Sequence, residues 1–345
     1  MSIGQNLRLL GSKVKNIFTF GKKGDEFATT DAAPAAAGAA APTSNEKKKF
    51  NLKALGFFLL FMIIPLYYII GSLVTHRIND DLNFKVGTPK AGKSITVEVM
   101  AGLIDREVNK TKWSPNIQAF EPAALLRIGG NMVNFQTGIV RSLATVTFEM
   151  ESRLARVRGT SSEDPDMAAA RQGLSRSADT WLWAGADGEY RKAHDALIRY
   201  NNRLANGQAV FEVRADNLQG VLDRIALDLG SISDNLENQV LTGRRMVIDT
   251  RADKVFYYSK GQAYAYFIIL RALREDYRSV LQERHVEKLY DAMLADLALA
   301  ADMKPLIVQN ANTDGAILPN HLVGEGFYIL RSRAKLREIT DILLK

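Results

Sequence analysis

The 345-residue chain has no cysteine. That excludes a disulfide scaffold, a thiolate zinc site, an iron–sulfur cluster and a cysteine nucleophile. Histidine is also scarce. His76, His194, His285 and His321 are the only four, and they form no H-E-x-x-H or comparable metal-ligand spacing. Serines occur, but never in a G-x-S-x-G nucleophile elbow. Segments rich in β-branched residues with a period of two are few, which disfavours strands. No repeat of 20–50 residues recurs, which disfavours a solenoid. The most local absence is of charge: residues 54–75 carry none.

That uncharged run reads ALGFFLLFMIIPLYYIIGSLVT. Its 22 residues would make about 33 Å of helix, enough for a hydrocarbon core of about 30 Å. A central Pro65 is tolerated in such a span. The run lies too far along the chain and is too long for the apolar core of a cleaved signal, so it predicts a membrane anchor. Residues 1–53 hold nine Lys or Arg against four acids, and Lys47, Lys48, Lys49 and Lys53 crowd the start of the run. The positive-inside rule then predicts a cytoplasmic N-terminus. Residues 76–345 would lie outside, which is the periplasm if the membrane is the inner membrane of a Gram-negative bacterium. The net charge of +7 is mostly an orientation signal. With 36 basic and 34 acidic residues, the remainder is nearly balanced and predicts no nucleic-acid partner.

Four segments are therefore expected. Residues 1–53 form a basic tail with an Ala/Pro-rich linker at 32–42. An apolar stripe at Ile3, Leu7, Leu10, Val14 and Ile17 there is compatible with either an amphipathic helix on the inner leaflet or a disordered tail. Residues 54–75 span the membrane, residues 76–94 tether, and residues 95–345 form an all-α domain. A 3.6-residue apolar period runs through that domain. It predicts helices over about 95–109, 122–158 (with a break at Gly129 and Gly130), 165–183, 189–204, 216–241, 250–284, 286–301 and 321–344. Asp164 before Pro165 is a helix start, and Thr250 with Asp253 resembles a capping box. The expected architecture is a single N-terminal transmembrane helix followed by a large multi-helix extracytoplasmic bundle, undivided or in two subdomains meeting near 207–215.

Candidate chemistry is thin. Gly87 to Ser94, GTPKAGKS, fits the phosphate-cradling P-loop pattern, with Lys93 and Ser94 in the phosphate- and cation-binding places. A P-loop needs a parallel sheet and an acidic residue at a strand end. Only helical patterns follow, so the segment reads as part of the tether. His321 and Glu325 share one helical face, and Asp314 precedes them. A metal would need a further ligand, and a capping or core histidine is the simpler reading. Glu149, Glu151 and Glu325 are the acids considered for glycan cleavage, without a spacing that singles them out. The aromatic segment 256–267 is helix core or one wall of a ligand or partner groove. The groove would be built from Tyr257, Tyr258, Lys260, Tyr264, His321 and Glu325, and Trp181 and Trp183 could serve likewise. No catalytic, cofactor or metal residue is assigned.

Short stretches spread over residues 95–344 resemble one bacterial family. They include LIDREV at 103–108, WSPN at 113–116, NFQ at 134–136, RGTS at 158–161 and DPD at 164–166. RADNL at 214–218, DLGS at 228–231, KGQAY at 260–264, PNHL at 319–322 and GFYILR at 326–331 continue the series. The family is DUF2333, whose members are membrane-anchored envelope proteins without an assigned activity. The resemblance implies placement in a bacterial envelope and carries over no catalytic residue. The expected function is therefore binding of a protein or cell-wall partner by the helical domain, beside the lipid bilayer and without a cofactor. An envelope glycan hydrolase and a small-ligand sensor are the alternatives.

Overall fold

A computed structural model describes residues 52–87, 91–125, 130–155, 163–182, 185–243, 249–311 and 319–345. The predicted N-terminal tail, its stripe and linker lie outside the described residues, as do Gly129, Trp183 and Asp314. Residues 53–345 form one compact unit.

Among the described residues, ten α-helices account for most of the regular structure, and no strand occurs beyond one isolated bridge between Asn310 and Asn320. They are α1 (Leu52–Thr75), α2 (Ile95–Ile104), α3 (Asn131–Glu149), α4 (Pro165–Leu174) and α5 (Ala186–Ala205). Then come α6 (Ala215–Thr242), α7 (Thr250–Asp276), α8 (Arg278–Glu283), α9 (Glu287–Ala301) and α10 (His321–Leu343). Wide π-type turns extend α2 through Asp105–Lys110 and α3 through Met150–Leu154. The fold is all-α, as its sequence period requires.

Leu55–Thr75 within α1 is long and apolar enough to cross a membrane, and its large apolar residues stand exposed. The other long helices pack around α7: α3, α9 and α2 rest on it, α10 bridges α6 and α9, and α4 pairs with α5. One continuous core joins them, with residues on both sides of 207–215 contributing. The α3–α7 crossing is unusually close because two glycines face it. A Cβ on Gly138 would stand 2.2 Å from the Tyr258 carbonyl oxygen, and one on Gly261 2.2 Å from that of Phe135.

Six buried tyrosines anchor the helices, four to the segments between them and two to neighbouring helices. Their hydroxyls donate to the carbonyls of Arg176 (Tyr190), Val210 (Tyr200), Asp81 (Tyr264), Glu212 (Tyr277) and Leu270 (Tyr290), and to Asp228 (Tyr266). Each ring supplies apolar area while its oxygen satisfies a polar group that would otherwise be stranded.

Several helix ends differ from the sequence expectation. The helix beginning at Pro165 stops at Leu174 rather than 183. Tertiary bonds take over there: Trp113 Nε1 donates to the Ala178 carbonyl at 2.9 Å and Tyr190 to that of Arg176. Asp249, one residue before the expected cap, accepts from the backbone N–H of Arg251 and Ala252 and starts α7. The 250–284 pattern is interrupted at Tyr277 between α7 and α8. Asp164 caps α4 as expected, accepting from the N–H of Asp166 and Met167.

Candidate functional site

A cleft of about 540 Å³ opens beside the α3–α7 crossing. One turn after another of α3 presents Thr137, Arg141, Thr145 and Phe148 to it, because residues three and four apart share a helix face. The end of α4 and the turn after it supply Arg171, Ser175, Arg176 and Ser177. Arg224 of α6 and Tyr258 of α7 close the walls. Four arginines thus line one volume, and no carboxylate among the described residues lines it.

The acids that balance this charge stand behind the wall. Glu151 pairs with Arg171. Asp228 pairs with Arg224 at 3.3 Å and accepts from Thr145 Oγ1 at 3.0 Å and from Tyr266 at 2.5 Å. Arg141 is exposed. The Tyr258 hydroxyl is pushed up from its ordinary pKa by burial, against the pull of Arg141. A tyrosine held neutral beside guanidinium groups is a hydrogen-bond donor, as are Thr137, Ser175 and Ser177. Such a wall suits a ligand rich in acceptor oxygens and negative charge.

The residues proposed from the sequence for a groove do not line one surface. Tyr258 reaches the cleft. Tyr264 is fully buried, donates to the Asp81 carbonyl and accepts from Arg106 at 2.6 Å. Tyr257 packs edge-on against Phe256 and is half-buried. Lys260 is 2% exposed and pairs with Asp80 at 2.5 Å. Glu325 is fully buried, and neither carboxylate oxygen is hydrogen-bonded to a described residue. Burial drives its pKa well above the ordinary range against the attraction of Lys260. His321 Nδ1 accepts the Gln309 N–H at 3.0 Å. That fits a neutral ring, and burial lowers its pKa. His321 and Glu325 therefore serve a helix entry and a core position. No group of three His, Cys, Asp or Glu able to hold a metal occurs among the described residues.

Glu149 and Glu151, the other acids considered for glycan cleavage, pair with Arg153 and Arg171. The P-loop-like segment has its own explanation. Ser94 caps α2, and the Asp276 carboxylate accepts from Ser94 Oγ (2.7 Å) and the N–H of Ile95 and Thr96 (2.9 Å each). Lys93 donates to Asn202 at 2.7 Å. The anion that such a helix start attracts is thus a side chain of this protein.

The segment after α1 is strapped along α7. Besides Lys260 with Asp80 and Tyr264 with Asp81, Arg271 donates to the carbonyls of Leu82 and Phe84, and the Arg106 guanidinium lies 4.9 Å from the Phe84 ring centre.

The arginine cleft was missed by sequence reasoning. Its cations lie on three helices and a turn, at spacings that have no motif; only Arg171 and Arg176 are near neighbours in the chain.

A family model described as an uncharacterised protein conserved in bacteria, DUF2333, matches residues 121–253 and 245–345. The match begins after the LIDREV and WSPN stretches and covers well over half of the chain. No curated protein and no solved structure matches it.

Proposed function

The chain belongs to the DUF2333 family of bacterial proteins, and from that premise we propose a non-catalytic binding protein anchored in the inner membrane by α1. Its helical domain lies on the periplasmic side and holds an anionic envelope component in the arginine cleft. The observation that carries this is the convergence of Arg141, Arg171, Arg176 and Arg224 on a cleft that no carboxylate among the described residues lines. Guanidinium groups bind phosphate and carboxylate oxygens through paired N–H donors, and a concave wall of one sign concentrates such ligands. The anchor rests on the length and apolarity of α1, and the orientation on the lysines before it.

Binding of short-chain polyphosphate and of a poly-glutamate peptide to the full chain in detergent tests the cleft. Arg141→Glu is expected to abolish binding of whichever anion the wild type takes, and added salt to weaken it. A wild type that binds neither anion at low salt overturns the cleft assignment. A reporter fused after Lys345 tests placement: activity restricted to the cytoplasm overturns the orientation.

A further inference from the structure

Beyond the cleft, the geometry points to a second membrane contact: we infer that the turn at 117–125, with Trp181 and Leu182 beside it, inserts into the outer interface of the bilayer crossed by α1. The inference rests on the reading that α1 spans a membrane. Its evidence is where this turn meets α1. Tyr68 donates to the Ala119 carbonyl at 2.9 Å and Tyr67 to that of Phe120 at 3.3 Å. Pro122 lies against Gly71, where a Cβ would stand 2.3 Å from the Pro122 Cβ.

Tyr68 and Gly71 precede the end of α1 at Thr75 by seven and four residues, so the contacts lie about 10 and about 6 Å inside that end. Leu73 and Val74, farther out along the helix, remain 73% and 63% exposed. A bilayer that covers those two side chains also reaches the turn lying beside them. The depth matches the roughly 5–10 Å to which interfacial segments sink.

The chemistry of the turn fits that position. A backbone carbonyl carried into lipid needs a donor, and the two tyrosine hydroxyls supply donors to the two carbonyls. The N–H groups of Glu121 and Ala124 are bonded within the turn, and that of Ile117 donates to the Ser114 carbonyl just before it. Glu121 is paired with Lys112. Phe120 is 71% exposed, and Leu125, Trp181 and Leu182 are exposed as well. Trp181 lines a hollow with Gln118 and Glu121 and with the charged Lys110, Lys112, Asp187 and Arg191, so it stands beside the turn at its polar rim. Aromatic side chains gathered at one level of a spanning helix form the belt that marks a membrane interface. Ile117 and Ala123 pack on Met132, and the Met132 sulfur accepts the Arg77 N–H at 3.3 Å, which fixes the turn to the domain.

The absence of native cysteine makes the test direct. Single variants Ile63→Cys, Phe120→Cys, Leu125→Cys, Trp181→Cys and Leu227→Cys of the full chain are spin-labelled and reconstituted in phosphatidylethanolamine–phosphatidylglycerol vesicles. Collisions with oxygen, which partitions into lipid, are compared with collisions with a water-soluble nickel chelate. Leu227 is the aqueous control. It neighbours Asp228, which bonds Thr145, thirteen residues or about 20 Å along α3 from Met132. Labels at 63, 120 and 125 are expected to favour oxygen several-fold over the control, with 181 intermediate. Aqueous readings at 120 and 125 with a lipid reading at 63 overturn the interfacial turn alone. An aqueous reading at 63 overturns the spanning helix, and the inference with it. If Phe120→Cys fails to fold, Leu125→Cys carries the same decision.

Discussion

Glu325 offers the sharpest test of the core. It sits one turn into α10, is fully buried, and neither of its oxygens finds a hydrogen-bond partner among the described residues. Burial raises its pKa well above the ordinary carboxylate value, and Lys260 only partly opposes this. The folded protein therefore holds a proton that the unfolded chain releases near pH ~4.3. Between that pH and the raised folded value, the native state binds one more proton than the unfolded state. Stability then falls as pH rises, by about 1.4 kcal/mol per pH unit for this one group. Its stabilising contribution is complete only below pH ~4.3 and is lost progressively up to the folded pKa. Glu325→Gln removes the titration and keeps the shape. All other groups, including Asp253, which burial raises to about 6, are common to both proteins and cancel in the difference. Urea unfolding of the two full chains in mild detergent, followed by circular dichroism, is the assay. The stability of the Glu325→Gln variant relative to the wild type is expected to grow steadily as pH rises above ~4.3, the ordinary value for a glutamate. Parallel pH profiles would refute the claim that Glu325 is protonated in the fold.

Four further outcomes follow from particular contacts. Gly261→Ala and Gly138→Ala, which place a methyl on a facing carbonyl, are each expected to cost about 1–3 kcal/mol or more in thermal or urea unfolding, because two helices must separate. Asp276→Ala leaves the start of α2 without its three donors' acceptor and is expected to cost about 2–3 kcal/mol, with faster amide exchange at Ile95 and Thr96. Lys260→Met leaves Asp80 with only the exposed Lys304, 3.6 Å away, and is expected to cost about 1.5–3 kcal/mol, whereas the pair Lys260→Met with Asp80→Leu recovers part of it. Arg271→Ala releases the carbonyls of Leu82 and Phe84, so limited proteolysis within residues 79–86 should accelerate; an unchanged cleavage rate would show that the strap is held elsewhere.

The helical class, the apolar span and most helix starts were legible in the sequence because they depend on local physics. A 3.6-residue period, the Asp164–Pro165 start and an uncharged run of 22 residues are properties of neighbours along the chain. The DUF2333 resemblance was legible for the same reason, as a series of short stretches that the family match covers from residue 121 onward. Helix ends were less so. The stop at Leu174 depends on Trp113 and Tyr190, which are distant in sequence or on another helix.

The site was decided by tertiary structure. GTPKAGKS looks like a phosphate loop until Asp276, 182 residues after Ser94, occupies the helix start. The aromatic segment 256–267 looks like a groove until α3 closes on it through Gly138 and Gly261 and Tyr264 and Tyr266 turn inward. Arg141, Arg171, Arg176 and Arg224 look like scattered solvated charges until four elements bring them to one cleft. Periodicity records which face of each helix is apolar. It does not record which faces meet, and a site made from several helices exists only after they pack, when burial and like charge act across distances the sequence does not encode.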